Sequence, residues 1–149
     1  MARYGVMKFY KSAGAAQFTL LPVQRNEKGY VEREGAILVE VAKGDGNRDN
    51  PTWDWDKKIS FAISFADICN LLDDDSTKHR IFHKHKDSPK TLQFVPATDP
   101  RWAGTYMLQL SAGSKDSRSS IGVPISGGEY GAIMRCLVAA MPKLIGWEE

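Results

Sequence analysis

Two stretches decide the fold: ISFAISFADICNLL at residues 59–72 and IGVPISGGEYGAIMRCLVAAM at residues 121–141. Each begins as a strand. Ile59, Phe61 and Ile63 alternate with Ser60 and Ala62, and Ile121, Val123 and Ile125 repeat that period of two. Each then meets a serine followed three residues later by an acid, Ser64-x-x-Asp67 and Ser126-x-x-Glu129. That is the spacing of a capping box, in which serine and carboxylate satisfy the first free N–H groups of a helix. Beyond Ser64, the residues Phe65, Ile68, Cys69 and Leu72 form one apolar stripe. Beyond Ser126, Tyr130, Ile133, Met134, Leu137, Val138 and Met141 form another. The acids Asp73, Asp74 and Asp75 oppose the macrodipole at a helix C-terminus, so the first helix stops before them. Pro142 ends or kinks the second helix near Ala140.

Working outward, strand patterns precede both helices. Ala16, Phe18 and Leu20 alternate with polar neighbours, and Ile37, Val39 and Val41 share one face. In the second half, strands are expected over about 78–85, 91–96, 105–111 and 119–125. The segment KGDGNRDNPTWDWDKK, residues 43–58, is rich in Gly, Asp, Asn and Pro and reads as a long loop. The chain thus repeats a (ββββα) unit at an offset of 62 residues. Two four-stranded sheets, each followed by a helix, make one α+β domain over residues 1–149.

Composition bounds the function class. The 149 residues are 42% hydrophobic and 26% charged, as expected of a globular chain. Lys plus Arg total 20 and Asp plus Glu 18, a net charge of +2. Split between the halves, residues 1–75 hold 10 basic and 12 acidic residues, whereas residues 76–149 hold 10 and 6. No apolar run approaches the roughly 18 residues of a membrane span. The opening MARYGVMKFYK has neither signal- nor transit-peptide character. Compartment is not specified by this sequence. Cys69 and Cys136 lie in apolar segments and read as buried free thiols.

The basic excess centres on KHRIFHKH, residues 78–85. Alternation puts Arg80, Phe82, Lys84 and Lys86 on one face, an aromatic ring among cations. That pattern suits a single strand of nucleic acid, with bases on rings and phosphates on cations. The competing reading places Phe82 in the core. The other face carries His79, Ile81, His83 and His85. His83-x-His85 has two-ligand spacing, but no third ligand follows in sequence, and solvated or edge histidines are expected rather than a metal. No nucleophile elbow, zinc-protease helix motif or phosphate loop is present. No catalytic residue or cofactor is expected. Further ring–cation neighbours are Tyr10 with Lys11, Trp53 and Trp55 with Lys57 and Lys58, and Trp102 with Arg101. Lys90 adds a cation.

The ending MPKLIGW, residues 141–147, resembles the close of the second helix in the Whirly family of single-stranded DNA-binding proteins. VEREGAILVE at 31–40, WDWDKKISFAIS at 53–64, Ile81-Phe82-His83 and VPIS at 123–126 match other family stretches in order. KSAGAAQF at 11–18 corresponds to the family's basic motif, with Lys11, Ala15 and Ala16 matched and its second lysine missing. The resemblance implies two antiparallel four-stranded sheets packed roughly orthogonally. It also implies a homotetramer assembled through the helices, with Ile133, Leu137, Met141, Leu144 and Trp147 as candidate assembly residues. Single-stranded DNA would run along the sheets. Tyr10, Trp55, Phe82, Trp102 and Tyr106 are then candidate stacking or pocket residues. Lys11, Lys57, Lys58, Arg80, Lys84, Lys86 and Lys90 are candidate phosphate contacts, and Ala15 and Ala16 permit close approach. RNA binding on the same fold and a metal-dependent enzyme using His83, His85 and a loop carboxylate are the rival readings.

Overall fold

A computed structural model describes residues 5–73, 80–84, 88–114 and 116–148. Sheet 1 has the order β1-β2-β5-β6, with β1 Val6–Tyr10, β2 Gly14–Leu21, β5 Ala36–Gly44 and β6 Trp53–Ile63. Sheet 2 has the order β10-β9-β8-β7, with β7 Arg80–His83, β8 Lys90–Pro96, β9 Tyr106–Ala112 and β10 Ser119–Ile125. All pairings are antiparallel. A small hairpin of β3 Gln24–Arg25 and β4 Val31–Arg33 interrupts the first half. The expected α+β class and duplicated (ββββα) layout are therefore present, with this hairpin added.

The sheets share their apolar faces. Phe18, Val39, Val41, Phe61 and Ile63 of sheet 1 join Leu92, Phe94, Leu108, Leu110 and Val123 of sheet 2 in one buried cluster. β10 contacts both β2 and β5, and β6 contacts both β8 and β9. Helix α1, Phe65–Leu72, closes the cluster with Ile68 and Leu71; α2, Gly127–Leu144, closes it with Ile133, Leu137 and Leu144.

Both capping boxes form. Ser64 accepts from the Asp67 N–H, and the Asp67 carboxylate accepts from the Ser64 N–H. Ser126 and Glu129 repeat the exchange. The first helix ends at Leu72, before the acidic run, as expected.

Three expectations need correction. Residues 43–58 are not one loop: β5 runs to Gly44 and β6 begins at Trp53. Helix α2 does not end near Ala140 but carries Pro142 inside it and continues to Leu144. The extra turn buries Leu144 completely. It is closed by Gly146, whose φ of 83° suits glycine. The N–H groups of Gly146 and Trp147 return to the carbonyls of Lys143 and Pro142, at 3.3 and 2.9 Å. This is a Schellman ending, so the resembling segment LIGW has a structural reason for its glycine. Finally, Cys69 and Cys136 are free but exposed rather than buried.

Candidate nucleic-acid interface

The outer face of sheet 1 carries a cluster of rings. Tyr10 lies 4.8 Å from Trp53 and 6.3 Å from Trp55 between ring centroids. The backbone explains how sequence-distant rings meet. Val41 pairs with Ile59 and Lys43 with Asp54, so the four residues Trp55–Lys58 oppose the single Ala42. This wide bulge bends the strand and re-aims its side chains. Tyr10 pairs with Ala15, which pairs with Ala42. Both alanines are fully buried although neither belongs to the core cluster. A larger side chain at either position would displace the rings around it. Ala16, by contrast, faces the core and cannot approach a ligand.

The turn after β1 links this face to a groove on the second half. The carbonyl of Lys11 accepts the indole N–H of Trp53 at 2.7 Å. Gly44 packs against the same turn, where a Cβ would meet the Ser12 carbonyl oxygen at 2.2 Å. Beside the turn, Lys11 lines an open groove of about 660 Å³ with Trp102, Tyr106, Met107 and Pro124. Trp102, 61% exposed, stands on a short 3-10 turn capped by Asp99. Arg101 pairs with Asp99, and that contact and the turn's N–H lower the Asp99 carboxyl. The Tyr106 ring is already stacked on Tyr130 of α2, with centroids 4.0 Å apart and planes 17° from parallel. Burial, then the neighbouring Tyr106, raises the Tyr130 hydroxyl above its ordinary value. One face of the Tyr106 ring is therefore already taken up by Tyr130.

Lys11 is not a free cation. Its Nζ donates to both carboxylate oxygens of Glu129, at 2.8 and 2.9 Å. Burial works against the Glu129 charge, but the Lys11 and Ser126 contacts together outweigh it and hold this carboxyl below its ordinary range.

The outer face of sheet 2 differs. Phe82 is 54% exposed, so it is not a core residue, and Arg80 and Lys84 are exposed with it. Phe82 pairs with Thr91, and Thr91 with Ser111. A hollow of about 190 Å³ over these hydroxyls is flanked by Arg80, Phe82 and Arg118. The remaining candidate cations divide. Lys57 is exposed and lines a second hollow with Lys43 and Trp53. Lys58 is paired with Glu40. Lys90 donates to the Ser60 carbonyl at 2.8 Å and ties the two sheets together. Lys86, His79 and His85 lie outside the described residues. The Nε2 of His83 meets Asp67 at 2.8 Å, and its ring stacks on Phe61 at 4.2 Å. Among the described residues no His, Cys, Asp and Glu cluster could hold a metal.

Comparison with known proteins supplies the family. The model described as Whirly transcription factor matches residues 9–136. The chain belongs to the Whirly family. Among solved structures, WHY3 from Arabidopsis thaliana superposes with a TM-score of 0.82 at 24% identity, covering 99% of this chain and 92% of that one. WHY1 from the same plant gives 0.81 at 23% identity, covering 99% and 88%. A structure described as the plant transcriptional regulator PBF-2 gives 0.78 at 21% identity, covering 99% and 85%. No curated protein sequence matches significantly. Family membership carries the coarse function, nucleic-acid binding.

Within this Whirly chain the basic-motif segment, residues 11–18, forms the turn and the first half of β2. It is the piece that joins ring cluster to groove. The proposed assembly residues need revision. Ile133, Leu137 and Leu144 are buried in their own chain's core, and Met141 packs against it. Trp147, at 83%, is the most exposed of the five. The exposed side of α2 instead presents Ala132, Cys136, Val138 and Ala139. Sequence reasoning missed Lys8 on the outer face of sheet 1, Lys43 and Arg118. Lys8 pairs with Gln17 in β2, and that alternation was its available signal.

Proposed function

We propose that this Whirly protein binds single-stranded DNA non-covalently and with little sequence preference, in genome maintenance, recombination, replication or transcription. The observation that carries the reading is the cluster of Tyr10, Trp53 and Trp55 over two buried alanines, on the outer face of sheet 1. Every base has a π-face, so rings on an open sheet bind single strands without reading sequence. Lys8 lies on this face and Lys57 lies in the bulge beside it, where they can meet phosphates. Duplex DNA keeps its bases stacked inside and cannot use the rings.

The working unit we propose is a homotetramer built through the helices. The exposed apolar groups Leu72, Val138 and Trp147 support it, since each lies on or just beyond a helix and is left uncovered by its own chain. Light scattering on the purified protein at micromolar concentration should give four times 16.6 kDa.

The test of binding is a titration against single-stranded DNA, duplex DNA and RNA of matched sequence at two salt concentrations. Single strands should bind tighter than duplex. Equal or tighter duplex binding overturns the reading, and a preference for RNA would reassign the ligand by its 2′-hydroxyl.

A further inference from the structure

Among the described residues, Lys11 and Glu129 are the only charged ones lining the groove beside the ring cluster. Their pairing is two-pronged, 2.8 and 2.9 Å, and both side chains are partly shielded, at 34% and 27% exposure. The rest of the lining is apolar or uncharged and includes Trp102, Tyr106, Met107 and Pro124. A groove whose two charges cancel holds no net attraction for a phosphate. What it offers is apolar surface and a Trp ring, which suit a base.

We propose that Glu129 is an affinity-setting residue: it occupies Lys11 and withholds it from the nucleic-acid backbone, so that the groove takes bases rather than phosphates. This rests on the single-strand reading above and assigns the charge balance of that same site. Glu129 is well placed for the role because its position is fixed independently of Lys11. The same carboxylate accepts the Ser126 N–H at 2.9 Å in the capping box of α2. Its lowered carboxyl keeps it ionised at neutral pH. A phosphate entering the groove has to displace an anion that the helix start holds in place.

The test compares wild type, Glu129→Gln, Lys11→Gln and the double variant for binding to a labelled single-stranded oligonucleotide across a salt series. Gln can still close the capping box, so the helix start is retained; thermal unfolding by circular dichroism checks this. Freeing one lysine for one phosphate adds roughly 0.7 to the magnitude of the salt slope, which at 0.1 M salt corresponds to about a fivefold gain. Glu129→Gln should show that gain, and the double variant should lose it. Lys11→Gln alone should leave the slope unchanged, because that lysine is already neutralised. A slope that falls by roughly 0.7 in Lys11→Gln, or does not rise in a folded Glu129→Gln, overturns the proposal while leaving single-strand binding intact. A wild type that does not bind single strands at all overturns both readings.

Discussion

In the first half of the chain the carboxylate at the start of α1, Asp67, meets His83 from β7 of the second half. In the second half the carboxylate at the start of α2, Glu129, meets Lys11 from just after β1 of the first. Each helix start is thus engaged by a basic residue at or just beyond the first strand of the opposite repeat. The surroundings then diverge. His83 stacks on Phe61 between the sheets, so its pair is a packing element. Lys11 and Glu129 open onto a groove. The difference shows how a duplicated joint can hold two sheets together at one copy and be exposed to a ligand at the other.

The largest expected effects test whether the halves are equal partners in one core. Ile68 of α1 and Leu137 of α2 are both essentially inaccessible. Ile68→Ala and Leu137→Ala should each cost about 2–5 kcal/mol in urea unfolding. A near-neutral Leu137→Ala that instead dissociates the assembly would restore this residue to a subunit interface. Next come the two outer faces. Trp55→Ala should weaken single-strand binding by about 1–3 kcal/mol, roughly 5- to 150-fold. Phe82→Ala should cost less, because Phe82 stands without a ring neighbour among the described residues. Equal losses would mean both faces carry bases. A smaller effect concerns the caps: Ser64→Ala and Ser126→Ala should each lower stability by about 1 kcal/mol, measured by thermal unfolding. The smallest is pH-dependent. The Glu129 carboxyl is lowered in the folded chain, so its contribution is complete above its ordinary value of 4.5 and is lost as pH falls through the folded one. The urea midpoints of wild type and Glu129→Gln should differ at pH 7 and converge in acid. A gap that persists unchanged to low pH would assign the difference to something other than this charge.

Much of the fold was legible because local rules and tertiary demand agreed. The two capping boxes, the alternation of Ile59, Phe61 and Ile63, and that of Ile121, Val123 and Ile125 all led to the observed elements. The strand at Trp53–Lys58 was not legible. Its residues alternate ring with charge instead of apolar with polar, and its Gly- and Asn-rich approach resembled a continuing loop. The end of α2 was misplaced because Pro142 weighs locally against a helix that the burial of Leu144 extends. Three of the five candidate assembly residues fall in the core for a related reason. An almost wholly apolar helix does not reveal which side its own sheets will claim, and here they claim Ile133, Leu137 and Leu144. Of the site, the rings and cations were readable as residue types. The pairing of Lys11 with Glu129 spans 118 residues and depends on how the sheets face each other, which no local pattern encodes. Lys58 and Lys90 are neutralised or diverted in the same nonlocal way.

The bulge in β6 has a second effect. That strand is the last in sheet 1, and an outermost strand with free N–H and C=O groups invites a strand from another molecule. Here the four surplus-side residues are Trp55, Asp56, Lys57 and Lys58, so a charged and out-of-step border replaces a straight one. A foreign strand could zip along Ile59–Ile63 for only half the length of β6 before losing register. The irregularity that gathers the rings therefore also limits runaway edge-to-edge growth. A continuous intermolecular sheet across this border is therefore disfavoured.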